Sequence, residues 1–242
     1  MPDNYSRIFL LSHMRAFTSL AGHILGSHPQ INGYFEMHIR YDAASALDKQ
    51  LEVLRQSEAL KTNSRYLFDK LLHNEFPLNV KKPGLADVKL LVSLREPEPT
   101  IKSIVNLFAS KDADWLYASP EEAGKYYIER VKTLSDFCRT VAQGYYYFDA
   151  EVLVNAPERL LPELERWLEL DSPLNERYDI FSQTGVVGKG DSSEAIKSGR
   201  IVKTQNDYSE VTLPEEILEN AQAVYRECRE VIIRHALDAV TL

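Results

Sequence analysis

Two short stretches of this chain hold residues suited to a phosphorylated ligand. The first is Ser12-His13-Met14-Arg15-Ala16-Phe17-Thr18-Ser19-Leu20. It follows a short apolar run at 8–12 and leads into residues with helical spacing, Leu20, Ile24 and Leu25. A turn from a buried strand into a helix aims backbone N–H groups and the positive helix end at one point, which suits an anion. Arg15, Thr18 and Ser19 add a cation and two hydroxyls there. Thr18 would equally serve as a helix cap. The stretch lacks Gly-Lys-Ser/Thr and is not a Walker A motif.

The second stretch is Leu91-Val92-Ser93-Leu94-Arg95-Glu96-Pro97, with Ser103 eight residues beyond Arg95. An arginine at a strand's carboxyl end can grip a phosphate through two parallel N–H groups, with a serine hydroxyl as an extra donor. Its alternative use is a surface pair with Glu96 or Glu98. A nucleoside triphosphatase would place an aspartate at such a strand end to hold magnesium.

The elements that must position these residues follow from periodicity. Strands are expected at 8–12, 66–68, 89–94 and 145–148, and helices at 18–27, 42–60, 98–108, 120–141, 156–170 and 214–237. The stretch 185–201 is rich in Gly and Ser with few apolar residues and reads as a loop. Strands alternating with helices predict an α/β fold, a parallel β-sheet flanked by helices in three layers. Ligands of such sheets sit at the carboxyl ends of the strands. No repeat or linker-like cluster interrupts the chain, so one domain over 1–242 is expected.

Composition narrows the function classes. The 242 residues are 44% hydrophobic and carry a net charge of −8, which argues against a general nucleic-acid binder. Cys138 and Cys228 form no CxxC pair, and the six histidines form no HExxH, so no metal site is expected. The N-terminal apolar run is too short for a signal peptide or a membrane span, and a cytoplasmic protein is expected. Tyr126, Tyr127 and the aromatic run 145–148 suit adenine stacking, an acceptor pocket's lining or, the favoured reading, core packing.

Together the two phosphate stretches carry a resemblance. The chain resembles sulfotransferases that use 3′-phosphoadenosine 5′-phosphosulfate (PAPS). Their first loop has the form Pro-Arg/Lys-Ser-Gly-Thr/Ser-Thr/Ser-Leu; Arg15, Thr18, Ser19 and Leu20 match it, while Met14, Ala16 and Phe17 depart. Phe17 replaces the loop glycine, the residue that lets a backbone approach a phosphate closely. Their 3′-phosphate element, Arg-x-Pro with a serine eight residues after the arginine, matches Arg95, Pro97 and Ser103 without departure. A late Gly-rich loop that closes over the nucleotide is similar to the run from Gly188 to Ile201, with Lys197, Gly199 and Arg200. Residues 153–170 resemble the family's strand that leads into a helix ending in Trp/Phe-Leu-x-Leu.

The resemblance implies a sulfuryl transfer from PAPS to a hydroxyl of a small acceptor, leaving adenosine 3′,5′-bisphosphate. Arg15, Thr18 and Ser19 would hold the 5′ end, Arg95 and Ser103 the 3′-phosphate, and Lys197, Gly199 and Arg200 the closing loop. By analogy with phosphoryl transfer, charge builds on the leaving phosphate, so a cation must face it; Arg15 and Lys70 are candidates. A base must take the acceptor's proton. Glu36 ranks first, His73 second and His38 third. Asp69-Lys70-Leu71-Leu72-His73 is similar to a family segment with one extra residue between the lysine and the histidine. The acceptor pocket is expected from 37–44 and 110–119. The alternatives are an atypical P-loop kinase or a degenerate nucleotide-binding module without catalysis.

Overall fold

The computed structural model describes residues 5–111, 114–186, 191, 193–203 and 208–242. Six parallel strands form one sheet: β1 (Ser6–Leu11), β2 (Ile31–Asn32), β3 (Tyr66–Leu71), β4 (Lys89–Leu94), β5 (Tyr145–Asp149) and β6 (Asp238–Val240), in the order β2-β3-β1-β4-β5-β6. The chain builds outward from β1 in both directions, so strand order reverses there. The crevice beyond the carboxyl ends of β1, β3 and β4 is the position at which such sheets bind ligands.

Strand alternation divides the core into two layers. Ile8, Leu10, Phe68, Leu91, Tyr146 and Phe148 pack against α1 (Thr18–Ser27), α5 (Val152–Asn155) and α6 (Pro157–Leu168). Phe9, Leu11, Leu67, Leu71, Leu90, Val92 and Tyr147 face the other way. They meet α2 (Ser45–Ser57), α3 (Pro97–Ala109), α4 (Pro120–Thr140) and α8 (Glu215–His235). Both faces of every central strand are covered, which is why the strands read as near-continuous apolar runs.

Several boundaries differ from expectation. The second helix is shorter than 42–60, beginning at Ser45. The third strand runs past Phe68 and takes in Asp69 and Lys70, so Lys70 lies inside a strand rather than after one. The stretch read as a loop contains a helical turn, α7 (Glu194–Lys197), capped by the Ser193 hydroxyl. Edge strands β2 and β6 are two and three residues long and carry too little pattern to be foreseen. Among the described residues no helix is long and apolar enough to cross a membrane.

Candidate active site

The loop between β1 and α1 has no glycine, yet Arg15 and Phe17 both take left-handed backbone conformations, at φ 62° and 53°. Side chains in that region cost on the order of 1–3 kcal/mol each, and such strain clusters at functional sites. Phe17 therefore supplies the conformation that glycine would supply. Its ring also lies under the Arg95 guanidinium, 4.3 Å from the ring centroid. The loop is further held by the Tyr126 hydroxyl, which accepts the Met14 N–H at 2.8 Å and donates to the Leu72 carbonyl at 2.9 Å.

Arg95 and the first loop are physically joined. Arg95 Nη1 donates to the Arg15 carbonyl at 2.8 Å, and Arg15 Nε donates to Ser103 Oγ at 2.9 Å. The Tyr208 hydroxyl donates to the same serine oxygen at 2.9 Å. Arg95 forms no pair with Glu96 or Glu98; its charged neighbour is Glu151, with Nε 3.9 Å from Oε1. Arg95 Nε is buried without a hydrogen-bond partner among the described residues. Arg15, Arg95 and Tyr208 line a cavity of about 300 Å³ together with Phe17, Thr18, Ser19, Tyr178, Asp191, Ser193 and Arg200, and Ser103 stands behind them, bonded to Arg15 and Tyr208.

A second cavity, of about 410 Å³, lies on the other side of the same loop. Its walls are mixed, with an apolar part made of Met14, Phe35, Met37, Val53, Leu72, Leu107 and Phe108. Glu36, His38, Lys70 and His73 also line it. Glu36 sits between two imidazoles: Oε2 is 3.7 Å from His38 Nε2, and Oε1 is 3.9 Å from His73 Nε2. Its Oε1 is buried with no hydrogen-bond partner among the described residues. Burial lowers the His73 pKa, partly offset by the charges of Glu36 and Glu75, so the ring is neutral near pH 7. His38 is the outermost of the three, with a side chain 56% exposed.

Lys70 lines the larger cavity and reaches Ser19, which lines both. Its ammonium is buried and donates to Ser19 Oγ at 3.1 Å, and the Asp191 N–H donates to that oxygen at 3.3 Å. Burial lowers the lysine's pKa, while Glu36, Asp69 and Asp191 support its charge. Asp191 Oδ1 stands 3.8 Å from Arg15 Nη1.

The structure thus brings Arg15, Thr18, Ser19, Arg95, Ser103, Glu36, Lys70 and His73 into one connected site. Arg200 joins through the smaller cavity. Lys197 lines neither of these cavities and pairs with Glu194 at 2.8 Å. Gly199 lines neither; it takes a φ of 67°, and its carbonyl accepts the Tyr178 N–H at 2.9 Å. Gly188, Lys189, Gly190 and Ser192 of the late run lie outside the described residues. Tyr126, Tyr127 and the aromatic residues of β5 are core side chains, not part of the nucleotide-sized cavity. Tyr208 had no local sequence signal, because its contact with Ser103 spans 105 residues of chain. From 37–44 and 110–119, Met37, His38 and Lys111 reach the larger cavity.

Comparison with solved structures gives the architecture a name. The chain is similar to a sulfotransferase domain from the curacin biosynthetic pathway, with a TM-score of 0.64 and 16% identity over 93% of this chain and 98% of that one. The chain has the sulfotransferase fold. A sulfotransferase domain from the Synechococcus PCC 7002 olefin synthase is also similar, at TM-score 0.57 and 18% identity over 93% and 95% of the two chains. A retinol dehydratase crystallised with retinol and PAP matches more loosely, at TM-score 0.43 and 12% identity over 94% and 82%. No family model and no curated protein matches the chain. In this sulfotransferase fold the loop after β1 and the end of β4 form the floor of the crevice.

Proposed function

We propose that this protein transfers a sulfuryl group from PAPS to the hydroxyl of a small acceptor. One observation carries the reading: the two cavities share a wall made of Arg15, Thr18, Ser19 and Asp191. A group held at that wall is within reach of both a nucleotide on one side and an acceptor on the other. The donor set fits the ligand. Arg95, Ser103, Tyr208 and Arg200 offer cations and hydroxyls to the 3′-phosphate side. Arg15, Thr18, Ser19 and Lys70 offer them to the 5′ side. The orphaned Arg95 Nε and Glu36 Oε1 belong one to each cavity.

The donor, when bound, supplies the sulfuryl group, whose bond to phosphate breaks as the acceptor oxygen bonds to sulfur. Glu36 takes the hydroxyl proton as that bond forms. Lys70, held against Ser19, meets the negative charge that builds on the leaving phosphate.

Calorimetric titration with adenosine 3′,5′-bisphosphate tests the reading, with ATP and magnesium as the control. Micromolar binding of the bisphosphate and none of ATP supports it, and transfer of labelled sulfate to a small alcohol completes it. A second reading, a nucleotide-binding module without catalysis, is favoured by Phe17 at the loop-glycine position; tight bisphosphate binding without transfer to any acceptor would support it. Failure to bind the bisphosphate overturns the proposal, and binding of ATP instead moves it to a kinase.

A further inference from the structure

Asp69 is a charged residue in the interior of a central parallel strand, and it is fully buried. A buried carboxylate is costly unless its oxygens are filled. Here they are filled by three donors from two segments. Oδ1 accepts the Met37 N–H at 3.1 Å and the Lys70 N–H at 2.8 Å; Oδ2 accepts the Tyr41 hydroxyl at 2.7 Å. Tyr41 is itself fully buried, edge-on to Phe9 with centroids 4.5 Å apart.

The placement of those donors matters more than their number. Met37 directly follows Glu36, the carboxylate that lines the larger cavity. Its segment, residues 35–40, has no helix or strand, and His38 within it takes a left-handed φ of 54°. A segment of that kind does not hold a side chain in place by itself. Lys70 follows Asp69 on the strand, and alternation sends its ammonium to the opposite face, toward Ser19. One carboxylate therefore ties down the backbone beside the base and the backbone of the cation.

We infer that Asp69 is a positioning residue that sets Glu36 against Lys70, and so the geometry between proton acceptor and leaving-group cation. The inference rests on the proposed roles of Glu36 and Lys70. Burial pushes the Asp69 pKa up to about 7, with the Tyr41 hydroxyl and the Met37 and Lys70 N–H groups opposing the rise and the Glu36 charge adding to it.

Three variants test this: Asp69→Asn, Asp69→Ala and Tyr41→Phe. The asparagine keeps the shape and, with its amide oxygen toward the Met37 and Lys70 N–H groups, loses only the Tyr41 donation, so its kcat should stay within about threefold of the parent. The alanine loses all three contacts, and its kcat should fall at least about tenfold, since displacement of about 1 Å at a reacting group costs up to about a hundredfold. The Kd of Asp69→Ala for adenosine 3′,5′-bisphosphate should rise by less than about threefold, because Arg95 and Ser103 on the 3′-phosphate side are untouched. Tyr41→Phe keeps the Met37 contact and should hold kcat within about threefold. A readout independent of turnover is hydrogen exchange at the Met37 amide, which should lose protection in Asp69→Ala and keep it in Tyr41→Phe. The inference is overturned if Asp69→Ala turns over within threefold of the parent, if Tyr41→Phe loses as much as Asp69→Ala, or if Met37 protection survives in Asp69→Ala. Failure of the unsubstituted chain to bind the bisphosphate sinks the functional reading instead; the Met37 amide and the Glu36 carboxyl resonance then decide this one, and no change in either overturns it.

Discussion

The Nε2 atom of His13 accepts the backbone N–H of Arg95 at 3.0 Å, while its Nδ1 donates to the Met14 carbonyl at 2.9 Å. One imidazole thus spans the two phosphate-side segments, the loop after β1 and the end of β4. The ring lies edge-on to Tyr127 with centroids 4.9 Å apart, and Tyr127 in turn donates to the Arg95 carbonyl at 2.7 Å. Burial pushes the His13 pKa down to about 3, so the bridge stays neutral through the physiological range. His13→Phe keeps the ring contact but leaves the Arg95 N–H unpaired. That should cost about 1–3 kcal/mol of stability and raise the bisphosphate Kd about tenfold by loosening Arg95. Thermal melts and calorimetry check it. Unchanged affinity would mean that Ser12 and Ser93 fix the spacing alone, the Ser12 hydroxyl donating to the Ser93 carbonyl at 2.8 Å and the Ser93 hydroxyl to Ser12 Oγ at 3.0 Å.

Arg95 itself should be far more sensitive. Arg95→Ala removes the phosphate-side guanidinium, and the bisphosphate Kd should rise well beyond tenfold. Arg95→Lys should lose nearly as much, because an ammonium offers neither two parallel donors nor a flat face for Phe17. Phe17→Leu isolates the ring's contribution: a cation–π contact is worth about 0.5–1 kcal/mol at a partly exposed site, or roughly a two- to fivefold rise in Kd. An affinity gain in Phe17→Leu would show that the ring obstructs the site rather than supporting it.

The elements flanking these residues were legible in the sequence for a physical reason. Helix α1 and strand β4 fall at Thr18–Ser27 and Lys89–Leu94 as expected, because apolar spacing and short buried runs decide them locally. Strand β3 was cut short at Phe68 because two adjacent charges, Asp69 and Lys70, are unfavourable in a buried strand until distant partners fill them. Tyr41 and Met37 come from about thirty residues upstream and Ser19 from fifty-one, and no local pattern announces them. The Arg15–Ser103 contact spans 88 residues and was equally hidden, although each partner was recognisable from its own motif. Glu36 came into view only through the resemblance. Nothing in Gly33-Tyr34-Phe35-Glu36 by itself distinguishes a base from a surface acid.

Glu36→Gln should leave the bisphosphate Kd unchanged and lower kcat by about a hundredfold or more, the usual contribution of a general base. The adjacent imidazoles give the test a second arm. His73 is neutral near pH 7 and 3.9 Å from Glu36, so it could take the proton if Glu36 does not. His73→Asn should therefore have a smaller effect on kcat than Glu36→Gln. The reverse order, measured as initial rates with saturating donor, would transfer the role of base to His73. His38, on the solvent side, should tolerate alanine with less than about a fivefold loss.

The two most deeply buried titratable groups of the site pull stability in opposite directions with pH. The folded pKa of His13 lies near 3, below its ordinary 6.5, so the folded chain binds fewer protons. Its contribution is complete above about pH 6.5 and is lost as pH falls toward 3. Asp69 is the reverse: its folded pKa lies near 7, above its ordinary 3.8. Its contribution is complete below about pH 4 and is lost as pH rises toward 7. Each shift corresponds to several kcal/mol at about 1.4 kcal/mol per unit, so over about pH 4 to 6.5 the slopes largely cancel. His23, His28 and His73, also lowered by burial, add to the His13 side, leaving a modest rise of stability with pH. Asp69→Asn removes the opposing slope, so its stability relative to the parent should improve steadily from about pH 4 to pH 7. His13→Phe should show the opposite trend, losing ground as pH rises. Urea midpoints for the three proteins at intervals across that range measure both trends, and parallel curves would show that neither group titrates on unfolding.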